Sequence, residues 1–213
     1  IGTISKDIVD CALIMNVITG YDPMDSTTVN RPTVDYLESI ETKTDGLKIA
    51  LPKEIFDSKL DEDVRSVINN SLRKLESYGN SLSNCTLPSI ENAIQAYYLI
   101  SSSEASSNLA RYDGIRYGYR NDDAKNISDF YRKSRSEGFG REVKRRIILG
   151  TYALSTGRRD ELYRMALKVR GIIAQDFSNT FEKYDIIAAP TSPTTAFKLG
   201  EKLNNPLKMY QND

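Results

Sequence analysis

No histidine occurs among the 213 residues, and its absence removes the Ser-His-Asp and Cys-His arrangements of nucleophilic catalysis together with the commonest zinc ligand. A hydrolytic site built here must take its base from Lys, Tyr or a carboxylate. Cysteine is nearly as scarce. Cys11 and Cys85 are too few and too far apart for a disulfide framework or a thiolate metal site, and two buried thiols in a reducing compartment are expected. No apolar run reaches the roughly 20 residues that a helix needs to cross a bilayer, and no charged stretch followed by an apolar core opens the chain. The expected location is the cytoplasm or an organelle matrix. Charge of one sign is missing too. Lys+Arg and Asp+Glu both total 29, so no long-range field favours nucleic acid or acidic lipid, and any RNA contact has to be local. A phosphate-binding glycine loop is also absent.

What is present is ordinary globular composition, 39% hydrophobic, enough for one sizeable core and a single domain spanning residues 1–213. No repeat, low-complexity tract or linker divides it. The chain starts at Ile1 without an initiator methionine and stops at Asp213 just after the turn-rich KLNNPLKMY, so both ends read as cut.

Periodicity orders the elements. An amphipathic helix of about three turns is expected first, with Val9, Ala12, Leu13, Asn16 and Val17 on one side, Ser5 as its N-cap and Gly20 as its stop. A Pro- and Asp-rich loop and a short helix around Val34–Ile40 follow. GLKIALP (46–52) and SLSNCTLP (81–88) read as strands flanking a helix marked by Val64, Ile68, Leu72 and Leu75, the order of a parallel crossover unit. Four further helices are expected: one from Ile90 to Ala110 with Ala93, Tyr97, Ile100 and Ala105 inward, one around Ile127–Arg135, one over about 140–155, and one over about 160–184. The last carries an apolar stripe of Leu162, Ala166, Val169, Ile173, Phe177 and Phe181. DIIAAPTSP then supplies a short buried strand.

Few residues suggest chemistry by themselves. Ser101, Ser102, Ser103, Ser106 and Ser107 crowd around Glu104. They lack the glycines of a strained nucleophile turn, so back-bonding or close helix packing is the expected role. Ser5 and Lys6 are adjacent and do not face each other on a helix. Arg132, Lys133 and Arg135, interspersed with Asp129 and Glu137, read as a solvated helix face. Arg145 and Arg146 stand on a helix whose other face is apolar, so one of them should turn inward and require an anion. A planar guanidinium fork suits the carboxylate of a free amino acid and equally an internal Asp or Glu.

Two segments, YYLISSSEASSNLARYDGIRYGYR and SEGFGREVKRRIILGTYALSTG, occur here in fixed order. They resemble the A-subunit family of glutamyl-tRNA(Gln) amidotransferases, a branch of the amidase-signature enzymes. The likeness runs from IGTISKDIVDCALIMNVITG through GLKIALPKEIF to APTSPTTAFKLGE and NPLKMYQND. It implies an α/β chain with a partial amidase-signature fold, a mixed sheet flanked by helices and incomplete at both ends. The resemblance also implies a division of labour. Glutamine would be hydrolysed through a serine acyl-enzyme, and the ammonia would convert Glu-tRNA(Gln) to Gln-tRNA(Gln) in a heterotrimer with the B and C subunits. ATP, magnesium and most tRNA contacts would lie on the B subunit, with no cofactor on this chain. In the family, the arginine matching Arg146 contacts the α-carboxylate of glutamine, the tyrosine matching Tyr97 lines the pocket, and the aspartate matching Asp213 binds the α-ammonium. No segment matches the family's catalytic lysine or its glycine-serine motif, so the resemblance implies the glutamine-binding half without the nucleophile, inactive alone. Arg158 and Arg159 depart from the pattern, since the family commonly has aromatic residues there. A stand-alone amide hydrolase of the same superfamily and a non-catalytic interaction module remain the alternatives.

Overall fold

The computed structural model describes residues 2–42, 44–57 and 60–201. Composition predicts one domain; the chain gathers into two compact units, the first ending at Gly46 and the second starting at Leu47.

The first unit holds helix α1 (Ile8–Ile18) and the short helix α2 (Tyr36–Ile40). Asp7, not Ser5, caps α1: its carboxylate accepts from the Asp10 amide at 2.9 Å while the Ser5 hydroxyl donates to the Asp7 carbonyl at 2.8 Å. An acidic cap also meets the positive end of the helix dipole. Asn16 joins the two helices, donating to Asp35 Oδ1 and accepting from the Tyr36 amide, both at 2.9 Å. Of the expected inward residues only Ala12 is buried; Val17 is 83% exposed. Ile8, Val9, Leu13, Ile14 and Ile18 are exposed as well, so α1 is apolar around its circumference rather than amphipathic. Cys11 and Cys85 are each partly exposed free thiols, not the buried pair expected. Burial and the charge of Glu54 push the Cys85 thiol up.

In the second unit, β1 (Lys48–Pro52) lies between β2 (Ser81–Cys85) and β3 (Ile186–Ile187). Ile49 pairs with Leu82 and Ile186, Ala50 with Ser83 and Ile187. Ile49 and Ala50 are fully enclosed, as the near-continuous apolar run of a central parallel strand requires. The α/β class is as expected, and both pairings among the described residues are parallel. After a single turn, α3 (Lys53–Phe56), helix α4 (Glu62–Ser77) returns the chain to β2. Buried Asn80 fixes that return, accepting from the Leu47 amide at 3.1 Å and donating to the Leu75 carbonyl at 2.9 Å.

The helical layer follows a 3₁₀ turn (Pro88–Asn92) and comprises α5 (Ala93–Leu109), α6 (Ile127–Gly138), α7 (Arg141–Leu154) and α8 (Tyr163–Phe181). On α8 the expected stripe is seen around buried Ala166, but Thr180 continues it and Phe181 faces out. Helix α5 packs on both α7 and α8. Its buried residues are Ala96, Ser102 and Ser103, and Tyr97 is exposed, contrary to the inward orientation expected. The reason lies in α7. A Cβ on Gly150 would come within 1.9 Å of the Ser102 carbonyl oxygen and 2.7 Å of the Ser106 Cβ. So close a backbone approach selects the small-residue face of α5, and Tyr97, five residues before Ser102, points about 140° away.

Between α5 and α6 the chain forms a structured loop. Asp113 accepts from the amides of Ile115 (2.9 Å) and Arg116 (3.0 Å), and the Gly114 amide donates to the Tyr117 carbonyl at 3.0 Å. Gly114, at φ +80°, has no room for a side chain, since a Cβ would sit 2.8 Å from the Tyr119 carbonyl oxygen. The two backbone donors, Arg116 first, hold the Asp113 carboxyl below its ordinary value. A depressed folded value stabilises fully above the unfolded carboxylate range, about pH 4, and that contribution disappears as the pH falls toward the folded value. Protection of the Ile115 and Arg116 amides from hydrogen exchange is therefore expected to drop below about pH 4, and Asp113→Asn to remove this acid-side dependence. An unchanged profile in the variant would assign the loss to other groups.

Candidate functional site

The contact at Gly150 sets the register of the two helices, and that register builds the site. Thr151 and Ser106 exchange a hydroxyl hydrogen bond at 2.9 Å, and Gly150 lies on Ser102. One turn earlier on both helices, Arg146 of α7 meets Tyr97 and Tyr98 of α5. The guanidinium of Arg146 lies 5.5 Å from the centre of the Tyr98 ring, and the neighbouring Tyr97 side chain helps to hold its charge. The two tyrosine rings stand edge to face, 5.0 Å apart. Two of the three residues singled out from the resemblance, Tyr97 and Arg146, thus come together; the third, Asp213, lies outside the described residues.

Glu142 completes the group. It accepts from Arg146 Nε through Oε1 at 3.3 Å, while its Oε2 lies 3.3 Å from Arg145 Nη1. Its place in the first turn of α7 favours its negative charge. The expectation that one arginine of the pair turns inward is not met: Arg145 and Arg146 retain 33% and 27% of their side-chain exposure. Both bend toward Glu142 because its i+3 and i+4 neighbours share one helix face. Burial alone would lower the basicity of Arg146, but the hydrogen bond to Glu142, the Tyr97 side chain and the charge of Glu142 outweigh it, and the guanidinium is held above its ordinary value. It stays a cation throughout the physiological range.

This arrangement suits recognition of a small carboxylate. It offers a charged fork, a hydroxyl and an aromatic face beside it, the combination that orients a planar anion and limits water at one side. Sequence reasoning does not single out Tyr98 or Glu142. The four-residue step from Glu142 to Arg146 is the available signal for the second.

Most side chains of the other polar clusters have structural partners; the buried hydroxyls of Ser101 and Ser102 have none. Ser103 Oγ donates to the Leu99 carbonyl at 2.6 Å, and the Ser102 segment seats Gly150, so the serines act as back-bonding and close-packing residues. Arg132 and Lys133 both pair with Asp129, and Arg135 Nη1 donates to the carbonyls of Leu109 and Tyr112 at 3.0 and 2.9 Å. Arg158 pairs with Glu161 and stacks on Tyr152. No helix among the described residues is long and apolar enough to cross a membrane.

Comparison with known proteins places this geometry in context. The amidase family model matches residues 1–213. The A subunit of glutamyl-tRNA(Gln) amidotransferase from Geobacillus kaustophilus is 52% identical over 213 residues, and that of Clostridium botulinum (strain Hall) 51% identical over the same number. In each case the match covers 100% of this chain and 44% of the relative, so the chain spans under half the length of these curated relatives. The crystal structure of the same enzyme's A subunit from Thermotoga maritima superposes with a TM-score of 0.71 at 36% identity, covering 98% of this chain and 40% of that one. A bacterial aryl acylamidase of the amidase-signature enzymes shares the fold, with a TM-score of 0.65 over 90% of this chain and 36% of its own, at 17% identity.

Proposed function

This chain belongs to the amidase family, and we propose that it serves as the A subunit of glutamyl-tRNA(Gln) amidotransferase, within which these residues form the glutamine-binding part. The observation that carries this reading is the Arg146 guanidinium set over the Tyr98 ring at 5.5 Å, with Tyr97 beside it, in a chain 52% identical to a protein of that name.

Glutamine enters as a zwitterion with an uncharged amide at its far end. Arg146 takes the α-carboxylate in its fork, Tyr97 bounds the pocket, and Asp213 takes the α-ammonium. Opposite charges at the two ends of the amino-acid backbone fix its orientation, so the side-chain amide projects to one place only. There a serine belonging to polypeptide beyond these residues attacks the amide carbon. The C–N bond breaks, the nitrogen leaves as ammonia after gaining a proton, and water hydrolyses the glutamyl ester to regenerate the serine. Ammonia then passes to the B subunit, which holds ATP, magnesium and the mischarged tRNA; the C subunit completes the heterotrimer. The 213 residues alone have no glutaminase activity on this reading.

The test uses the full-length protein with its partner subunits, Glu-tRNA(Gln), ATP and magnesium. Gln-tRNA(Gln) is expected to form with either glutamine or free ammonia as donor. Hydrolysis of simple amides without any glutamine-dependent amidation would instead make the protein a stand-alone amidase.

A further inference from the structure

A guanidinium is flat, and two contacts fix its orientation: one on its face and one on its rim. Arg146 has both. Its face lies over the Tyr98 ring, 5.5 Å from the ring centre, and Tyr97 stands edge to face against that ring at 5.0 Å. Its rim is met at Nε by Glu142 Oε1 at 3.3 Å. Stacking sets the plane of the group, and the bond at Nε sets its rotation within that plane.

The helix dictates this placement. Glu142 lies in the first turn of α7, four residues before Arg146, and long side chains on a helix lean toward its N-terminus. Arg146 is therefore carried toward Glu142. Arg145 Nη1 lies 3.3 Å from the other oxygen, Oε2, so each oxygen of the carboxylate faces a cation. A guanidinium offers a bidentate carboxylate two edges, one through Nε and a terminal nitrogen, the other through both terminal nitrogens. The single Nε hydrogen is already given to Glu142, which directs a second carboxylate to the other edge.

We propose that Glu142 is a positioning residue for glutamine capture, on the reading above of this chain as the glutamine-binding part of the A subunit. By accepting from Nε it presents the Nη1–Nη2 edge of Arg146 to the α-carboxylate, and it does so without touching the ligand. Charge alone predicts the opposite effect. A carboxylate beside the anchor weakens the pull on an anion, so its removal would tighten binding if field strength decided affinity. The Glu142 side chain is 46% exposed, and water screens that repulsion. The gain from having a long side chain ordered before the ligand arrives is the larger of the two.

The experiment uses the full-length protein with its partner subunits, Glu-tRNA(Gln), ATP and magnesium, and reads KM and kcat for glutamine beside the rate with free ammonia. Glu142→Ala is expected to raise the glutamine KM about three- to tenfold, the scale of ordering one long side chain on binding, with kcat and the ammonia-driven rate unchanged. Glu142→Asp keeps the charge but stops one methylene short of Nε, and should raise KM as much. Glu142→Gln keeps an acceptor of the right reach without the charge, and should leave KM near the wild-type value. A KM that holds or falls in Glu142→Ala overturns the positioning role and leaves glutamine as the substrate. So does a Glu142→Gln protein as impaired as Glu142→Ala. A fall in the ammonia-driven rate and in the thermal midpoint alongside the rise in KM would make Glu142 a folding residue only, which also overturns the proposal. A wild-type complex that makes no use of glutamine overturns the underlying reading as well.

Discussion

Replacing Arg146 with alanine in the full-length protein is expected to raise the KM for glutamine by roughly 30- to 1000-fold while amidation driven by free ammonia proceeds at its former rate. Truncating one member of a hydrogen-bonded charge pair costs about 2–4 kcal/mol, and every ~1.4 kcal/mol is a factor of ten. The wide range reflects the 27% of the side chain that remains in contact with water, because solvent screening weakens the pair. Ammonia carries no carboxylate and bypasses the anchor, so the ratio of the two activities isolates binding from chemistry. Arg146→Lys is the informative companion. A lysine keeps the charge but loses the planar fork and the stacking on Tyr98, and it should recover only a small part of the lost affinity. Equal loss of both activities in Arg146→Ala would remove the glutamine-anchoring role.

Gly150→Ala should be the most destabilising single-carbon change in the helical layer. The added Cβ would stand 1.9 Å from a backbone oxygen of α5, well inside van der Waals contact, and no side-chain rotation relieves an overlap between two main chains. Overpacking costs about 1–3 kcal/mol where side chains can adjust and more where they cannot. A loss of roughly 3 kcal/mol or more, seen as a fall of about 6–12 °C in the thermal midpoint, is therefore expected. Ser102→Ala makes the control. The Ser102 hydroxyl is buried with no hydrogen-bond partner, so removing it should change stability little or even favour the fold. A Gly150→Ala protein melting at the wild-type temperature would mean that the two helices are not so close.

How much of the structure is legible in the sequence depends on which force decides each element. The β1–α4–β2 unit can be read because GLKIALP is apolar without alternation and α4 carries a clean 3.6-residue stripe; both signals are local. The orientation of α5 cannot. Its apolar and small residues occur on all sides, and the deciding contact is Gly150, 48 positions beyond Ser102. Periodicity accordingly turns Tyr97 toward the core, yet it reaches Arg146 from an exposed position. Ser5 and Asp7 are both good caps two residues apart, and local preference does not choose between them. The pairing of Tyr97 with Arg146 is suggested only by resemblance to a family, since nothing in the spacing of two residues 49 apart marks them as neighbours. Glu142 can be found from its step to Arg146 alone, as an acid one helical turn before a base.

That glutamate gives the incoming ligand a competitor already in place. Its carboxylate already accepts from Arg146 Nε and sits against Arg145 Nη1, so on the proposed reading an incoming α-carboxylate shares the guanidinium with a charge fixed on the same helix, and part of the attraction is satisfied before the ligand arrives.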